Sequence, residues 1–167
     1  MSQREHKAQA PRSIRCFVLT VSDTRTEESD ASGRTIADLL TGAGHTVAGR
    51  AIVKDDPDLV RDVITRQIAN PEIQVIITTG GTGITSRDST YEAVSAMLEK
   101  RLDGFGELFR MLSFEQIGSA AMMSRACAGL VAKRIVVSLP GSEGAVQLAM
   151  QRLLIPELGH LVQQASK

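Results

Sequence analysis

The sequence predicts an α/β fold of three layers, α/β/α, around a mostly parallel central sheet. Short runs rich in Val and Ile alternate with stretches whose apolar residues recur at helical spacing, which is the pattern of βα units. The chain of 167 residues has the usual length of one domain. We therefore expect a single domain at 13–167, preceded by a polar, flexible tail at 1–12.

The elements follow one another in a regular order along the chain. The predicted strands are the apolar runs 16–21, 47–53, 75–79 and 135–139, with a further candidate at 126–131. The helical faces between them are formed by Ile36, Leu39 and Leu40, then by Leu59, Val63, Ile64 and Ile68, and then by Ala93, Val94, Met97 and Leu98. A short helix is expected at 107–114 and a final one at about 143–154, after which Pro156 opens a last turn or helix.

Composition and charge exclude several classes of function. Lys plus Arg and Asp plus Glu both number 19, so the chain has no general electrostatic field for nucleic acid or for an acidic membrane surface. No apolar stretch reaches the roughly 18 residues of a membrane helix. Cys16 and Cys127 are expected to be buried free thiols, and the scattered histidines form no metal cluster. We expect a cytoplasmic protein that has no nucleic-acid or membrane partner. Any anionic ligand should be bound by the residues of a local site and not attracted by the overall charge.

The strongest chemical signal is a glycine-rich turn between a predicted strand and a predicted helix. It consists of Thr78, Thr79, Gly80, Gly81, Thr82 and Gly83. Bare backbone N–H groups in such a turn can come close to a phosphate or a polar ring. The spacing is neither that of a nucleoside-triphosphate P-loop nor that of a dinucleotide fold. The turn predicts an anion or pterin site, although a purely structural glycine turn is the alternative. If the turn binds a ligand, the substitution Gly81→Val should weaken ligand binding more than it destabilises the fold.

Two acidic positions accompany this turn. Asp88 follows Gly83 by five residues and either caps the next helix or projects into the glycine-lined crevice. Asp55 follows the strand predicted at 47–53, at the same edge of the sheet, and its place in a strand-to-helix loop predicts that it is exposed. Mg²⁺ prefers carboxylates, waters and substrate phosphates as ligands. The two carboxylates therefore predict a magnesium site.

Two further loops reach this edge of the sheet. Asp30 or Ser32 can cap the first helix, and the sequence favours capping and ligand binding equally at this position. The loop after the last strand opens a helix and offers free N–H groups to an anion. The candidate binding residues are Ser22, Asp23, Asp30, Ser32 and Gly33 after the first strand, and Pro140, Gly141 and Ser142 after the last.

Taken in order along the chain, these motifs resemble those of the MoaB and MogA proteins of molybdenum-cofactor biosynthesis. The resemblance covers nearly all of the chain after Arg12, and the stretch 105–118 is closer to the MoaB branch. The motifs that carry it are Val21-Ser22-Asp23-Thr24, Asp30 with Ser32-Gly33, the glycine turn with Asp88 and Thr90, Gly104-Phe105-Gly106-Glu107, Ser124-Arg125-Ala126 with Gly129, and Leu139-Pro140-Gly141-Ser142.

The resemblance implies a molybdopterin-binding, MogA-like fold and a molybdopterin adenylyltransferase that uses Mg-ATP and releases pyrophosphate. Asp55 and Asp88 would be its catalytic and Mg²⁺-binding residues, and Glu107 and Ser124 would join the substrate-binding residues. The resemblance also implies a homotrimer or homohexamer and contact with the molybdate-insertion protein of the pathway. A non-catalytic molybdopterin-binding or carrier protein is the alternative.

Overall fold

A computed structural model of the chain describes residues 2–167. Its strands are Arg15–Val21 (β1), Thr46–Val53 (β2), Val75–Thr79 (β3), Lys100–Arg101 (β4), Cys127–Val131 (β5) and Arg134–Leu139 (β6). Its helices are Gln3–Ala8 (α1), Ala31–Gly42 (α2), Pro57–Ala69 (α3), Thr90–Met97 (α4), Asp103–Ile117 (α5), Glu143–Ala149 (α6) and Ile155–Ala165 (α7). A 3₁₀ segment, Gly118–Met123, follows α5, and a π-helical turn, Met150–Leu154, joins α6 to α7. Within this described part, no helix has both the length and the apolar composition of a membrane span.

The strands form one sheet in the order β2-β1-β3-β6-β5-β4. β2, β1, β3 and β6 are parallel, whereas β5 is antiparallel to both β6 and β4. The predicted mostly parallel sheet is therefore confirmed. The sequence did not predict β4, because its two residues are too few for any hydrophobic period. The chain leaves β1 toward β2 and then crosses back to β3, so the loops after β1 and β3 diverge and leave a crevice at the carboxyl edge.

Helices cover both faces of the sheet, which confirms the predicted three layers. In β1, Cys16 and Val18 belong to the core shared with α2, α5, α6 and α7. Phe17 and Leu19 belong to the other core, which is shared with α3 and α4. Successive side chains of a strand face opposite sides, so a strand covered on both faces is apolar throughout.

α5 begins earlier than the helix predicted at 107–114. Two glycines near its start, Gly104 and Gly106, weaken the helical signal in the sequence. A side chain at Gly106 would lie 2.9 Å from the carbonyl oxygen of Ala126. The close packing of α5 on the segment before β5 therefore explains a residue of low helix propensity at this position.

The C-terminal region is helical over the predicted range 143–154, and a last helix, α7, follows with Pro156 in its first turn, as predicted. Helical hydrogen bonding continues to Ala165 through the π turn, in which the N–H of Ile155 donates to the carbonyl of Met150. Pro156 has no N–H to donate and cannot sit in a regular helix interior without strain. The wider turn just before it accommodates this proline, so the helix is not broken.

The segment predicted to be a tail contains the helix α1. Ser2 and Glu5 form a capping box at its start. None of the α1 residues is buried, but Lys7 forms an ion pair with Glu157 of α7. The sequence did not predict this helix because a short polar helix has no apolar face. Met1 lies outside the described residues, and the flexibility of the segment stays a prediction.

Candidate functional site

A cavity of about 370 Å³ lies at the carboxyl edge of the sheet, and its size is typical of small-molecule sites. It is lined by Gly80, Gly81, Thr82, Gly83, Asp88, Ala120, Met123, Ser124, Arg125, Pro140 and Gly141. The structure thus brings together the glycine turn, Asp88, Ser124 and the corner after β6. A larger, open hollow of about 630 Å³ lies along β2 beside Glu27 and Arg50, and it is lined by none of the predicted site residues. We therefore take the first cavity, here called the glycine-loop cavity, as the candidate site.

The glycine turn is fixed by the fold around it. Gly80 and Gly81 have φ angles of 98° and 68°, which are left-handed conformations that favour glycine. A side chain at Gly80 would collide with the carbonyl of Val21, and one at Gly81 would collide with Thr90 and Asp55. The expectation that Gly81→Val affects binding more than folding is therefore wrong, because the added atoms would meet the interior of the protein. The alternative interpretation, a turn that needs glycine for structural reasons alone, therefore applies to Gly80 and Gly81.

Asp55 lies beneath the turn and is 6% exposed, so the prediction that it is exposed is wrong. Its Oδ1 accepts hydrogen bonds from the N–H and hydroxyl of Ser89, at 3.2 and 2.7 Å, and from the Thr90 hydroxyl at 3.4 Å. Ser89 is the N-cap residue of α4, and its own side chain makes no capping bond. Asp55 therefore caps α4 from a neighbouring loop.

Asp88 projects into the glycine-loop cavity and does not cap α4. It is half-buried, and its Oδ2 accepts hydrogen bonds from the N–H and hydroxyl of Thr85, at 3.1 and 2.6 Å. The same carboxylate lies beside Gly83, where a Cβ would be 2.5 Å from Oδ2. Of the two arrangements that the sequence left open, the structure has the one in which Asp88 lines the crevice.

Asp55 and Asp88 differ in what they offer a metal ion. Within residues 2–167, no group of three or more His, Cys, Asp and Glu is arranged to hold one. Oδ1 of Asp88 accepts no hydrogen bond from the described part of the chain, whereas Oδ1 of Asp55 accepts three. Mg²⁺ that is bound with phosphates uses only one or two carboxylates. Asp88 fits that role, and Asp55 has only Oδ2, next to Gly81, to offer.

Asp23 connects the loops around the cavity and does not line it. Its carboxylate accepts two hydrogen bonds from the Arg87 guanidinium, at 2.6 and 2.9 Å, and one from the N–H of Asp55 at 3.1 Å. The hydrogen bonds from Arg87 are the main reason that the pKa of Asp23 is lowered from 3.8 to about 2. Ser22 also acts within its loop, where its hydroxyl accepts hydrogen bonds from the N–H groups of Thr24 and Arg25.

Asp30, Ser32 and Gly33 lie away from the cavity, at the start of α2. Asp30 is 1% exposed and caps α2 by accepting the Gly33 N–H at 3.0 Å. Its other oxygen accepts hydrogen bonds from the Thr20 hydroxyl at 2.8 Å and from Arg50 at 3.0 Å. Of the two roles that the sequence left open for Asp30, the structure therefore shows helix capping. Gly33 has no room for a side chain beside Asp30 and Thr20, and Ser32 is buried.

Three other predicted residues also have structural partners. The Thr79 hydroxyl donates to the carbonyl of Pro140 at 2.9 Å, and Ser142 caps α6 by accepting the Ala145 N–H at 3.2 Å. Glu107 lines a separate cavity of about 150 Å³ with Arg101 and other residues of α4, α5 and β5. Within this chain, Glu107 is therefore not part of the glycine-loop cavity.

Arg125 is the main residue of the cavity that the sequence reasoning did not select, although it lies in one of the motifs. Its guanidinium donates to the carbonyls of Thr82 and Gly83, at 2.9 and 2.6 Å, and pairs with Glu92 of α4. The two cysteines, in contrast, are structural as predicted. Both are buried, and burial raises the pKa of Cys16 to about 12 and that of Cys127 to about 11.

Comparison with known proteins shows similarity along nearly the whole chain. Residues 17–160 match the family model described as "Probable molybdopterin binding domain". The molybdenum cofactor biosynthesis protein B of Bacillus anthracis is 54% identical over 162 residues, which cover 96% of each chain. A crystal structure of a molybdenum cofactor biosynthesis protein B has a TM-score of 0.91 and 51% identity, covering 95% of this chain and 99% of the other. The tungsten cofactor synthesizing protein MoaB from Pyrococcus furiosus has a TM-score of 0.83 and 37% identity, covering 95% and 100%.

Proposed function

The chain belongs to the MoaB and MogA family of molybdenum-cofactor biosynthesis proteins, and from this premise we propose that it binds molybdopterin and adenylylates it with Mg-ATP. The observation that carries the proposal is the glycine-loop cavity, which combines backbone N–H groups, hydroxyls and one carboxylate, that of Asp88, at the carboxyl edge. Open α/β sheets bind ligands at this edge. In the reaction, a terminal phosphate oxygen of molybdopterin attacks the α-phosphorus of ATP, and the bond to pyrophosphate breaks.

The residues of the chain would act by positioning and by charge. The glycine turn and Ser124 bind the pterin and phosphate groups, and the corner at Pro140-Gly141 limits how far the ligand enters. When it is bound by Asp88 and the phosphates, Mg²⁺ would neutralise their negative charge. Asp55 holds the first turn of α4 in place and offers Oδ2 as a second oxygen. Two anionic substrates can then approach each other.

A carrier function is the second candidate, and one observation favours it. Three hydrogen bonds from Ser89 and Thr90 already occupy Oδ1 of Asp55, so a structural role alone explains its carboxylate. A carrier would bind molybdopterin in the same cavity and pass it to a partner without using ATP. The two functions therefore differ in chemistry and not in the place where the pterin binds.

Pyrophosphate release separates these two functions. The experiment incubates the purified protein with Mg-ATP, with and without molybdopterin under anaerobic conditions, and measures pyrophosphate together with pterin binding. Molybdopterin-dependent release supports the adenylyltransferase. Tight pterin binding without release would leave the carrier as the function, and absence of both would overturn the family-based proposal for this chain.

We also propose a homo-oligomer, either a trimer or a hexamer. Large apolar side chains are exposed on α5 and the 3₁₀ segment after it, as a surface between subunits requires. They are Leu108, Met111, Phe114, Ile117, Met122 and Met123.

The proposed reaction needs ATP, so we place the protein in the cytoplasm. Its adenylylated product is the substrate that a molybdate-insertion protein would receive, so that protein is the proposed partner.

A further inference from the structure

Arg125 connects the glycine turn to α4 from a distant part of the sequence. Its Nε donates to the carbonyl of Thr82 at 2.9 Å, and its Nη2 donates to the carbonyl of Gly83 at 2.6 Å. These carbonyls belong to consecutive residues of the turn. One guanidinium therefore fixes two successive peptide groups on the wall of the cavity.

The guanidinium is itself held by the first turn of α4. Nη1 and Nη2 pair with the carboxylate of Glu92, and the hydrogen bonds from Arg125 lower the pKa of Glu92 below its usual value. The guanidinium carbon also lies 4.8 Å from the centre of the Tyr91 ring. Only a planar group with several fixed N–H donors can make all these contacts at once, so lysine cannot replace arginine here.

The two fixed carbonyls determine where the neighbouring N–H groups point. In a trans peptide group the C=O and the N–H point in opposite directions. The N–H groups of Gly83 and Ile84 therefore point away from Arg125. In the part of the chain that the structure describes, neither of these N–H groups has a hydrogen-bond partner, and both belong to exposed residues.

We propose that Arg125 is a positioning residue that holds the glycine turn so that the N–H groups of Gly83 and Ile84 bind a phosphate group of the ligand. The proposal deepens the proposed function and rests on it for the phosphate-bearing ligand. Arg125 acts through the conformation of the turn. Its charge alone is insufficient, because the same charge on a lysine lacks the fork that binds both carbonyls.

The test compares Arg125→Lys and Arg125→Gln with Arg61→Gln, which removes an arginine from an exposed ion pair on α3. NMR relaxation of the backbone amides measures the order of residues 82–84 without ligand, and pyrophosphate and ATP titrations follow the Gly83 and Ile84 amide shifts. We expect both Arg125 variants to lose order at 82–84 and to bind both probes roughly 10- to 100-fold more weakly. Arg61→Gln should match the wild type. The Lys variant tests the proposal if the Gln variant does not fold.

Two outcomes would overturn the proposal. One is an Arg125→Lys variant with wild-type loop order and wild-type affinity, because charge alone would then suffice. The other is a wild-type protein in which bound pyrophosphate or ATP leaves the Gly83 and Ile84 amides unshifted. Failure of the proposed function is distinguishable, since it appears as phosphate binding without molybdopterin-dependent pyrophosphate release.

Discussion

Asp55 and Asp88 lie at the same edge of the sheet but in different surroundings. Asp55 is buried and accepts three hydrogen bonds from the start of α4, whereas Asp88 lines the cavity and keeps one oxygen without a hydrogen bond from the described residues. Replacement of each carboxylate by an amide therefore has a different expected effect. At Asp55 the stability of the fold should change in addition to the chemistry, and at Asp88 mainly the chemistry should change.

Asp55→Asn should lower the free energy of unfolding by about 1–2 kcal/mol, because a helix cap loses its charge and part of its hydrogen bonding. Urea unfolding of the purified protein measures this change. The matched control is Asp58→Asn on the exposed surface of α3, where the expected change is less than about 0.5 kcal/mol. Equal stability of Asp55→Asn and the wild type would show that the capping contacts contribute little.

Asp88→Asn should leave stability and molybdopterin affinity almost unchanged, because the amide oxygen can still accept the hydrogen bonds from Thr85. Adenylyl transfer should fall by roughly 30- to 1000-fold, which corresponds to the loss of one charge contact in the transition state. Single-turnover formation of adenylylated molybdopterin at saturating Mg-ATP is the measurement. Turnover close to that of the wild type would remove Asp88 from the proposed mechanism.

At the scale of elements, the glycine turn and the corner after β6 lie against each other in the wall of the cavity. A Cβ at Gly141 would lie 3.3 Å from the Cα of Gly80, which is close but not a severe clash. Gly141→Ala should therefore narrow the cavity and weaken molybdopterin binding by about tenfold, at a stability cost below about 1 kcal/mol.

Calorimetry and urea unfolding measure the two effects of Gly141→Ala. Gly144→Ala on α6 is the matched control, because a Cβ there meets no atom within 4 Å and binding should not change. Gly81→Ala should instead destabilise the fold, since the added Cβ meets Thr90 and Asp55. Unchanged affinity in Gly141→Ala would place the ligand elsewhere.

The contact between Asp23 and Arg87 should make stability depend on pH. The pKa of Asp23 is lowered from 3.8 to about 2 in the folded protein, mainly by the hydrogen bonds from Arg87. As the pH falls, Asp23 therefore takes up a proton in the unfolded chain before it does so in the folded protein. The contribution of the contact to the free energy of unfolding is present above pH 3.8 and is lost as the pH falls toward 2. Salt should reduce this contribution, because both side chains are partly exposed.

Arg87→Ala tests this dependence. The difference in free energy of unfolding between wild type and Arg87→Ala should be constant above about pH 5 and should shrink as the pH falls through the titration of Asp23. Urea unfolding at a series of pH values measures it. A difference that stays the same at low pH would show that the ion pair is not formed in solution.

At the scale of the whole molecule, the exposed apolar surface of α5 predicts self-association. Phe114 is 61% exposed, and Phe114→Glu should convert the proposed oligomer into smaller species because it places a charge in the contact. Light scattering after size-exclusion chromatography measures the mass. The matched control is Leu59→Glu, at an exposed apolar residue of α3, which should not change the mass. A wild-type monomer would contradict the proposed assembly.

The sequence by itself determined the features that depend on neighbouring residues. The apolar runs gave β1, β2, β3 and β6 to within one residue at their ends, and the alternation with helical faces gave the three layers. The glycine turn and the corner after β6 were also visible, because a strand followed by glycines and then a helix is a local pattern. The family followed from the order of these motifs.

Only the tertiary structure decided which polar groups meet. Asp55 caps a helix whose N-cap residue, Ser89, lies 34 residues later, and Arg125 binds the carbonyl of Thr82, 43 residues away. Asp23 pairs with Arg87, 64 residues away. A carboxylate or a guanidinium looks the same in a sequence whether it binds a ligand or another loop. Its role depends on which donors and acceptors lie within about 3 Å in the folded chain, and the packing of distant strands and helices sets that distance.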